Sequence, residues 1–129
     1  GYDVTGAFIR LHNNAVQYNI LPRRSMSLSE LQKGYDGKNG KPTYFASAGL
    51  IYDVSSSNMF KSSYSLWAGK DATIAWATMS LNPNDINRTD WDTVLTDPKD
   101  MKSLQSWTHY FNEKYLIKAK LKEFYNKKS

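Results

Sequence analysis

Tyr64-Ser-Leu-Trp-Ala-Gly-Lys-Asp-Ala-Thr73 runs directly into Ile-Ala-Trp-Ala-Thr78. This stretch sets one tyrosine just ahead of a glycine turn that opens a short apolar helix. A possible ligand, a close-packed turn and a helix start meet here in a few residues. Other chemistries find no support. The chain has no cysteine, which excludes disulfides, iron–sulfur clusters, thiolate ligation and cysteine catalysis. No phosphate-binding glycine loop, two-histidine metal spacing or nucleophile elbow is present. Asp90 and Asp92 are two apart, so a helix would turn them to different faces and they make a poor acid/base pair. His12 and His109 are the two histidines, one in an N-terminal segment and one beside Trp107. Asn87-Arg-Thr89 is a formal glycosylation acceptor, relevant only in a secreted protein.

The elements that must position Tyr64 can be read in order. Residues 1–25 carry Val4, Phe8, Ile9, Leu11, Val16, Tyr18, Ile20 and Leu21 with neither a helical nor a strand period. They read as an arm lying on its own domain or on a partner. Ser27-Leu-Ser-Glu30 fits a capping box for a short helix ending near Gly34. Asp36-Gly37 and Asn39-Gly40 mark turns. Pro42–Ala48 and Leu50–Val54 flank Gly49 and read as a hairpin rich in aromatic and β-branched residues. Ser55–Asn58 is a loop. A helix follows over 71–80, capped by Asp71. Asn82–Asp85 is a turn, and Thr89–Asp92 begins a further short helix. Asp97-Pro98 starts another helix, along which Met101, Leu104, Trp107, Phe111 and Tyr115 recur at spacings of three and four. Alternation at Ile117, Ala119 and Leu121 suggests a strand over 116–121. Trp67, Trp76 and Trp107 read as core.

The length of 129 residues suits one domain. With 40% hydrophobic and 22% charged residues the chain is globular rather than disordered. The 14% aromatic share favours half-buried surfaces, hence pockets and interfaces. The net charge of +5 is uneven. Residues 111–129 hold six Lys against two Glu, while 26–110 sum to −1. Basic ends can meet an anionic membrane or an acidic partner. A nucleic-acid partner is not expected, because the lysines lack aromatic interleaving. No apolar run spans a bilayer. The chain begins with Gly1 rather than Met and reads as a processed or excised form.

The order helix, hairpin, loop, Tyr, helix, long helix, Lys-Tyr, basic end resembles the membrane-associated progesterone receptor branch of the cytochrome b5-like domains over 26–122. The pieces that match are Leu28-Ser-Glu-Leu31 with Tyr35-Asp-Gly37, Lys41-Pro-Thr-Tyr44, Gly49-Leu-Ile-Tyr-Asp-Val54, Tyr64 to Ala72, Trp107, and Lys114-Tyr115. The resemblance implies an α+β fold whose small sheet and short helices form a groove for haem b. The resemblance covers the domain at 26–122, and the arm at 1–25 and the basic tail at 123–129 lie outside it. Tyr64 would bind the iron as phenolate, with Lys70, Lys114 and Tyr115 around the cofactor. A ferric ion favours the phenolate, and an anionic oxygen ligand suits carriage or regulation better than electron shuttling. No enzyme activity is implied. The His-Pro-Gly-Gly turn of electron-transfer cytochromes b5 is missing, so bis-histidine ligation is not expected. The loop Ser55–Ser63 departs from the family pattern. It has no Gly or Pro, and Phe60 or Lys61 stands nearest the family's second pocket tyrosine. The alternative is a haem-free accessory subunit of a larger membrane-bound complex, contacting protein partners through residues 1–25 and the basic tail. A membrane-associated setting, at the endoplasmic reticulum or mitochondrion, follows from the resemblance. Read without the cofactor, Tyr64 is a half-buried aromatic with its hydroxyl on a carbonyl. Lys114-Tyr115 is then a helix end, and Lys70 a solvated lysine.

Overall fold

The computed structural model describes residues 4–16 and 21–124. Residues 17–20 of the expected arm and the tail beyond Phe124 lie outside that range. Helix α2 (Leu28–Gly34) begins at Ser27, whose Oγ accepts the Glu30 amide at 3.1 Å. The return half of the expected box is altered. Glu30 Oε1 takes the Ser27 hydroxyl and Lys122 Nζ, at 3.3 and 3.2 Å.

Strands β2 (Tyr44–Ser47) and β3 (Leu50–Asp53) form the expected hairpin. Its two-residue turn needs positive φ at both Ala48 (53°) and Gly49 (83°). A Cβ on Gly49 would stand 2.9 Å from the Phe124 ring, so the hairpin tip and the chain end pack at van der Waals limit. Strand β4 (Leu116–Leu121) pairs antiparallel with β3 and buries Ile117, Ala119 and Leu121, as their alternation predicts. Strand β1 (Ser25–Met26) adds in parallel on its other side, and the sheet order is β1-β4-β3-β2.

Helices cover the sheet. Helix α5 (Pro98–Lys114) starts at Asp97, which accepts the Lys99 amide at 2.9 Å. It sends Met101, Leu104 and Phe111 into the core. Helix α3 (Thr73–Thr78) packs on α5 and β2, and α4 (Trp91–Val94) packs on α3. The result is an α+β fold with a mixed sheet.

Residues 4–15 differ from the sequence reading. They form helix α1 (Val4–Ala15), which packs on α5 and α4. Ala7, Phe8, Leu11 and Ala15 are buried. Their spacing is helical, but Gly6 and Asn13-Asn14 obscured it. The segment lies on its own domain.

Candidate functional site

The backbone holds Tyr64 from two directions. Residues 69–72 hook along the edge of β2: Gly69 N donates to the Tyr44 carbonyl at 2.7 Å, and Ala46 N to that of Lys70 at 2.9 Å. Gly69 has φ 74°, and a Cβ there would stand 3.0 Å from Cα and Cβ of Asp36. Only glycine fits without strain. Upstream, Tyr64 N donates to the Met59 carbonyl at 2.7 Å, which closes the 3₁₀ turn over Met59–Lys61 onto that over Ser65–Trp67.

Six rings join in a closed circuit with Tyr64 as one member. Tyr64 meets Trp76 at 5.5 Å, Trp76 meets Trp107 at 4.5 Å, and Trp107 meets Tyr110 at 6.2 Å. Tyr110 meets Tyr115 at 6.5 Å, Tyr115 meets Phe60 at 6.3 Å, and Phe60 returns to Tyr64 at 5.7 Å. Phe111 is fully buried and touches Trp76, Trp107, Tyr110 and Tyr115, so it floors the circuit. Around the circuit, exposed apolar side chains accumulate. Met59 adjoins Phe60 in sequence, Leu116 adjoins Tyr115, and Met79 accepts the Trp107 indole N–H at 3.1 Å. Within the circuit itself, Phe60, Trp76 and Tyr115 are buried and only its Tyr110 ring is exposed.

The phenol oxygen of Tyr64 has no hydrogen-bond partner among the described residues. The alternative arrangement, with that hydroxyl on a backbone carbonyl, is not the one adopted. Tyr64 stacks on Trp67 at 4.9 Å, and the Trp67 and Trp76 rings lie 4.5 Å apart. Both indole N–H groups are buried without an acceptor among the described residues. Unsatisfied buried donors are rare, and they concentrate here beside Tyr64. Sequence reasoning placed these tryptophans in the core, where Trp67 and Trp76 lie; Trp107 is half-buried.

Lys114 and Tyr115 share this face. Lys114 Nζ donates to the Tyr110 hydroxyl at 2.9 Å and sits 5.2 Å from its ring centroid; that bond raises the lysine pKa. The buried Tyr115 donates to Ser57 Oγ at 3.4 Å. Lys70 is partly buried in the turn after Gly69, and no contact ties it to Tyr64 or Lys114 among the described residues. Phe60 and Lys61 are the residues that the sequence reading set nearest the family's second pocket tyrosine, and Phe60 turns inward while Lys61 is exposed. Phe60 stacks on Phe45 at 4.8 Å, and bridges Tyr64 and Tyr115.

Two other side chains depart from their sequence readings. The residue at the α3 cap is Ala72, not Asp71. Asp71 stands one residue earlier and is buried. It accepts the Thr73 hydroxyl at 2.8 Å and the Trp91 indole N–H at 3.4 Å. Burial pushes its carboxyl up to about 7, against the lowering effect of Thr73 and Trp91. His12, placed by sequence in the arm, is buried on the Ala48 carbonyl. His109 is exposed and faces Glu113 at 3.5 Å, in line with a helix-surface residue. Asn87 Oδ1 accepts the Asp71 amide at 2.7 Å, so the carboxamide of the formal glycosylation site already serves as a strut. Among the described residues no group of three His, Asp or Glu could hold a metal ion, and no helix is long and apolar enough to cross a membrane.

No family model matches the chain. Individual relatives do. Probable steroid-binding protein 3 of Arabidopsis thaliana is 36% identical over 87 residues, 64% of this chain and 84% of that protein. Membrane-associated progesterone receptor component 2 of Homo sapiens is 30% identical over 99 residues, 74% of this chain and 44% of that protein. Membrane steroid-binding protein 1 of Arabidopsis thaliana is 40% identical over 87 residues, 64% of this chain. The chain spans only 38% of the length of that last relative. Among solved structures, a hypothetical Arabidopsis thaliana protein with a cytochrome b5 like fold superposes with a TM-score of 0.64 at 26% identity, over 76% of this chain and 90% of that one. The fold is cytochrome b5-like, and the chain belongs to the membrane-associated progesterone receptor family of steroid-binding domain proteins.

Proposed function

We propose that this domain binds ferric haem through the Tyr64 oxygen and serves as a carrier or regulator rather than an enzyme. The observation that carries this reading is the partnerless phenol of Tyr64 at the edge of a closed aromatic face. The donor set fits the cofactor. Tyr64 offers an oxygen that no described protein group claims, the rings beside it offer an apolar surround, and Lys114 offers a cation on the same face for a propionate. The two orphaned indole donors beside Tyr64 mark the same place as unfinished in the protein alone. When bound, ferric haem supplies a positive iron that favours the phenolate over the phenol.

The chain's own residues would divide the work. Tyr64 is held in place by Trp67 and by the 3₁₀ turns on either side. Phe60 meets both Tyr64 and Tyr115 edge-on and fills the space between them. Tyr115 is fixed through Ser57, while Lys114, on an exposed stem, holds its ammonium on the Tyr110 hydroxyl. Lys70 sits nearer the start of α3 and could offset negative charge there. The names of the relatives support a membrane-associated setting and make a steroid the other ligand class to test; the endoplasmic reticulum or mitochondrion is our own reading from the family resemblance.

The second reading, a haem-free accessory module of a membrane-bound complex, draws on Phe60 closing the gap between the two tyrosines. It loses the support of the arm, since α1 lies on its own domain. Titration of the purified chain with ferric haem, followed by absorption, tests the two. Saturable binding with a phenolate charge-transfer band that Tyr64→Phe removes is the expected result. No saturable haem binding by the wild type would overturn the first reading.

A further inference from the structure

Helix α5 has a second working face. Away from the aromatic circuit, Pro98, Met101, Lys102, Gln105, His109 and Asn112 recur at three- and four-residue spacing and face α1. Two cavities lie along this valley, about 620 and 430 Å³, and they share Leu11, Asn14 and Gln105. They form one continuous groove. Its α1 wall falls in residues 1–25, outside the stretch that resembles the family.

The lining has a clear chemistry. One cation comes from each helix, Arg10 from α1 and Lys102 from α5, both at the Pro98 end. The middle is walled by the carboxamides of Asn13, Asn14 and Gln105. No carboxylate lines either half. A carboxamide both donates and accepts, so a row of them matches the alternating N–H and C=O groups of a peptide backbone. Arg10 and Lys102 match carboxylates. The fifteen residues of α5 from Pro98 to Asn112 make fourteen steps and span about 21 Å at 1.5 Å per step. That length takes about six residues of extended chain at 3.3 Å each.

We propose that this groove binds a short, extended, acidic peptide segment of a partner protein. Carboxylates sit on Arg10 and Lys102, and the backbone lies along the carboxamides. A flat anionic bilayer has the right charge but cannot enter a valley between two helices, and a single inorganic anion has no use for the carboxamide row. The site is separate from Tyr64, so it does not depend on the haem reading. The net charge of +5 also steers an acidic partner toward the chain, which makes the controls below necessary.

The test is fluorescence anisotropy on the full chain with a labelled acidic peptide of about six residues. Saturable binding is expected, weakened about tenfold or more in Arg10→Glu/Lys102→Glu. A lysine-rich peptide of the same length should bind that double variant and not the wild type. Lys38→Glu/Lys61→Glu changes the net charge equally at two residues that line neither half of the groove and should leave affinity within about threefold, because solvent-exposed charges are screened. Gln105→Ala should weaken binding with no change in net charge. Arg10, Lys102, Gln105, Lys38 and Lys61 are all exposed, and matched thermal melts verify folding. Equal loss in the two charge reversals would overturn the proposal, as would full competition by inorganic phosphate. Capture by anionic vesicles that is blind to the Arg10/Lys102 reversal, with no peptide binding, would overturn it too.

Discussion

Tyr64 and Asp71 stand seven residues apart on one segment, and their surroundings are opposite. Asp71 is fully enclosed and meets Thr73 and Trp91, while the Thr73 hydroxyl in turn accepts the Ala48 amide at 3.0 Å. Tyr64 is half-buried, packs its ring against Trp67, Trp76 and Phe60, and keeps its phenol oxygen unclaimed among the described residues. The chain thus spends its strongest hydrogen-bonding side chain on holding α3 against the hairpin tip and leaves the phenol available. A group whose partners are all supplied by the fold is architecture. One whose partners are not is where chemistry can enter.

The sharpest way to break this contrast is to strip the interior network. Thr73→Val keeps the shape but removes the hydroxyl. Asp71 then loses a donor and the Ala48 amide loses its acceptor. Each unsatisfied buried group costs about 1–3 kcal/mol, so a loss of about 2–5 kcal/mol is expected in urea unfolding at pH 6. A change below about 1 kcal/mol would show that the network holds little.

The second largest effect is a pH dependence. The folded-state carboxyl of Asp71 titrates at about 7, above its ordinary 3.8. A raised acid pKa means that the folded state binds the proton more tightly than the unfolded state. The associated stability is fully present below about pH 4 and is lost as pH rises to about 7, at up to ~1.4 kcal/mol per pH unit. Wild-type unfolding free energy should therefore fall by roughly 2 kcal/mol between pH 5.5 and 7 and then flatten. Asp71→Asn, which cannot ionise, should lack that slope. An equal slope in the variant would assign it to other groups.

How far these regions could be read in advance follows from the physics of each. The elements with local causes were legible: the Ser27 cap, the turn at Gly49, the Asp97-Pro98 start, and the alternation along β4. Tyr64 stood out because it precedes a glycine turn. Asp71 was misread by one residue, since a cap and a buried strut use the same residue type, and only the arrival of Trp91 from α4 separates them. Helix α1 was hidden because Asn13 and Asn14 face the groove rather than the core and break the apolar rhythm. The six-ring circuit was invisible because it joins three chain segments, 60–64, 76 and 107–115. The filling of the gap by Phe60 likewise depends on tertiary packing against Phe45.

Gly69 is the joint between the two regions, and its replacement ranks third. Gly69→Ala puts a β-carbon into the left-handed region at φ 74° and against the Asp36 backbone at 3.0 Å. Strain of this kind costs about 1–3 kcal/mol. Because the joint also sets Tyr64 relative to β2, haem affinity should fall along with the melting temperature. A variant that loses stability but keeps haem affinity would show that the two regions are mechanically independent.

Tyr64→Phe should have the smallest effect on stability and so decides the comparison. The substitution removes one oxygen and keeps the ring. Stacking on Trp67 and the edge contacts to Phe60 and Trp76 persist. Since the lost oxygen bonds no described residue, the unfolding free energy should change by less than about 0.5 kcal/mol. The ligand-dependent absorption should nevertheless disappear. That pairing, silent in urea and decisive in the spectrum, is the mark of a group that the fold presents but does not use. A stability loss above about 1 kcal/mol would mean that the phenol is part of the architecture after all, and the distinction between Tyr64 and Asp71 would collapse.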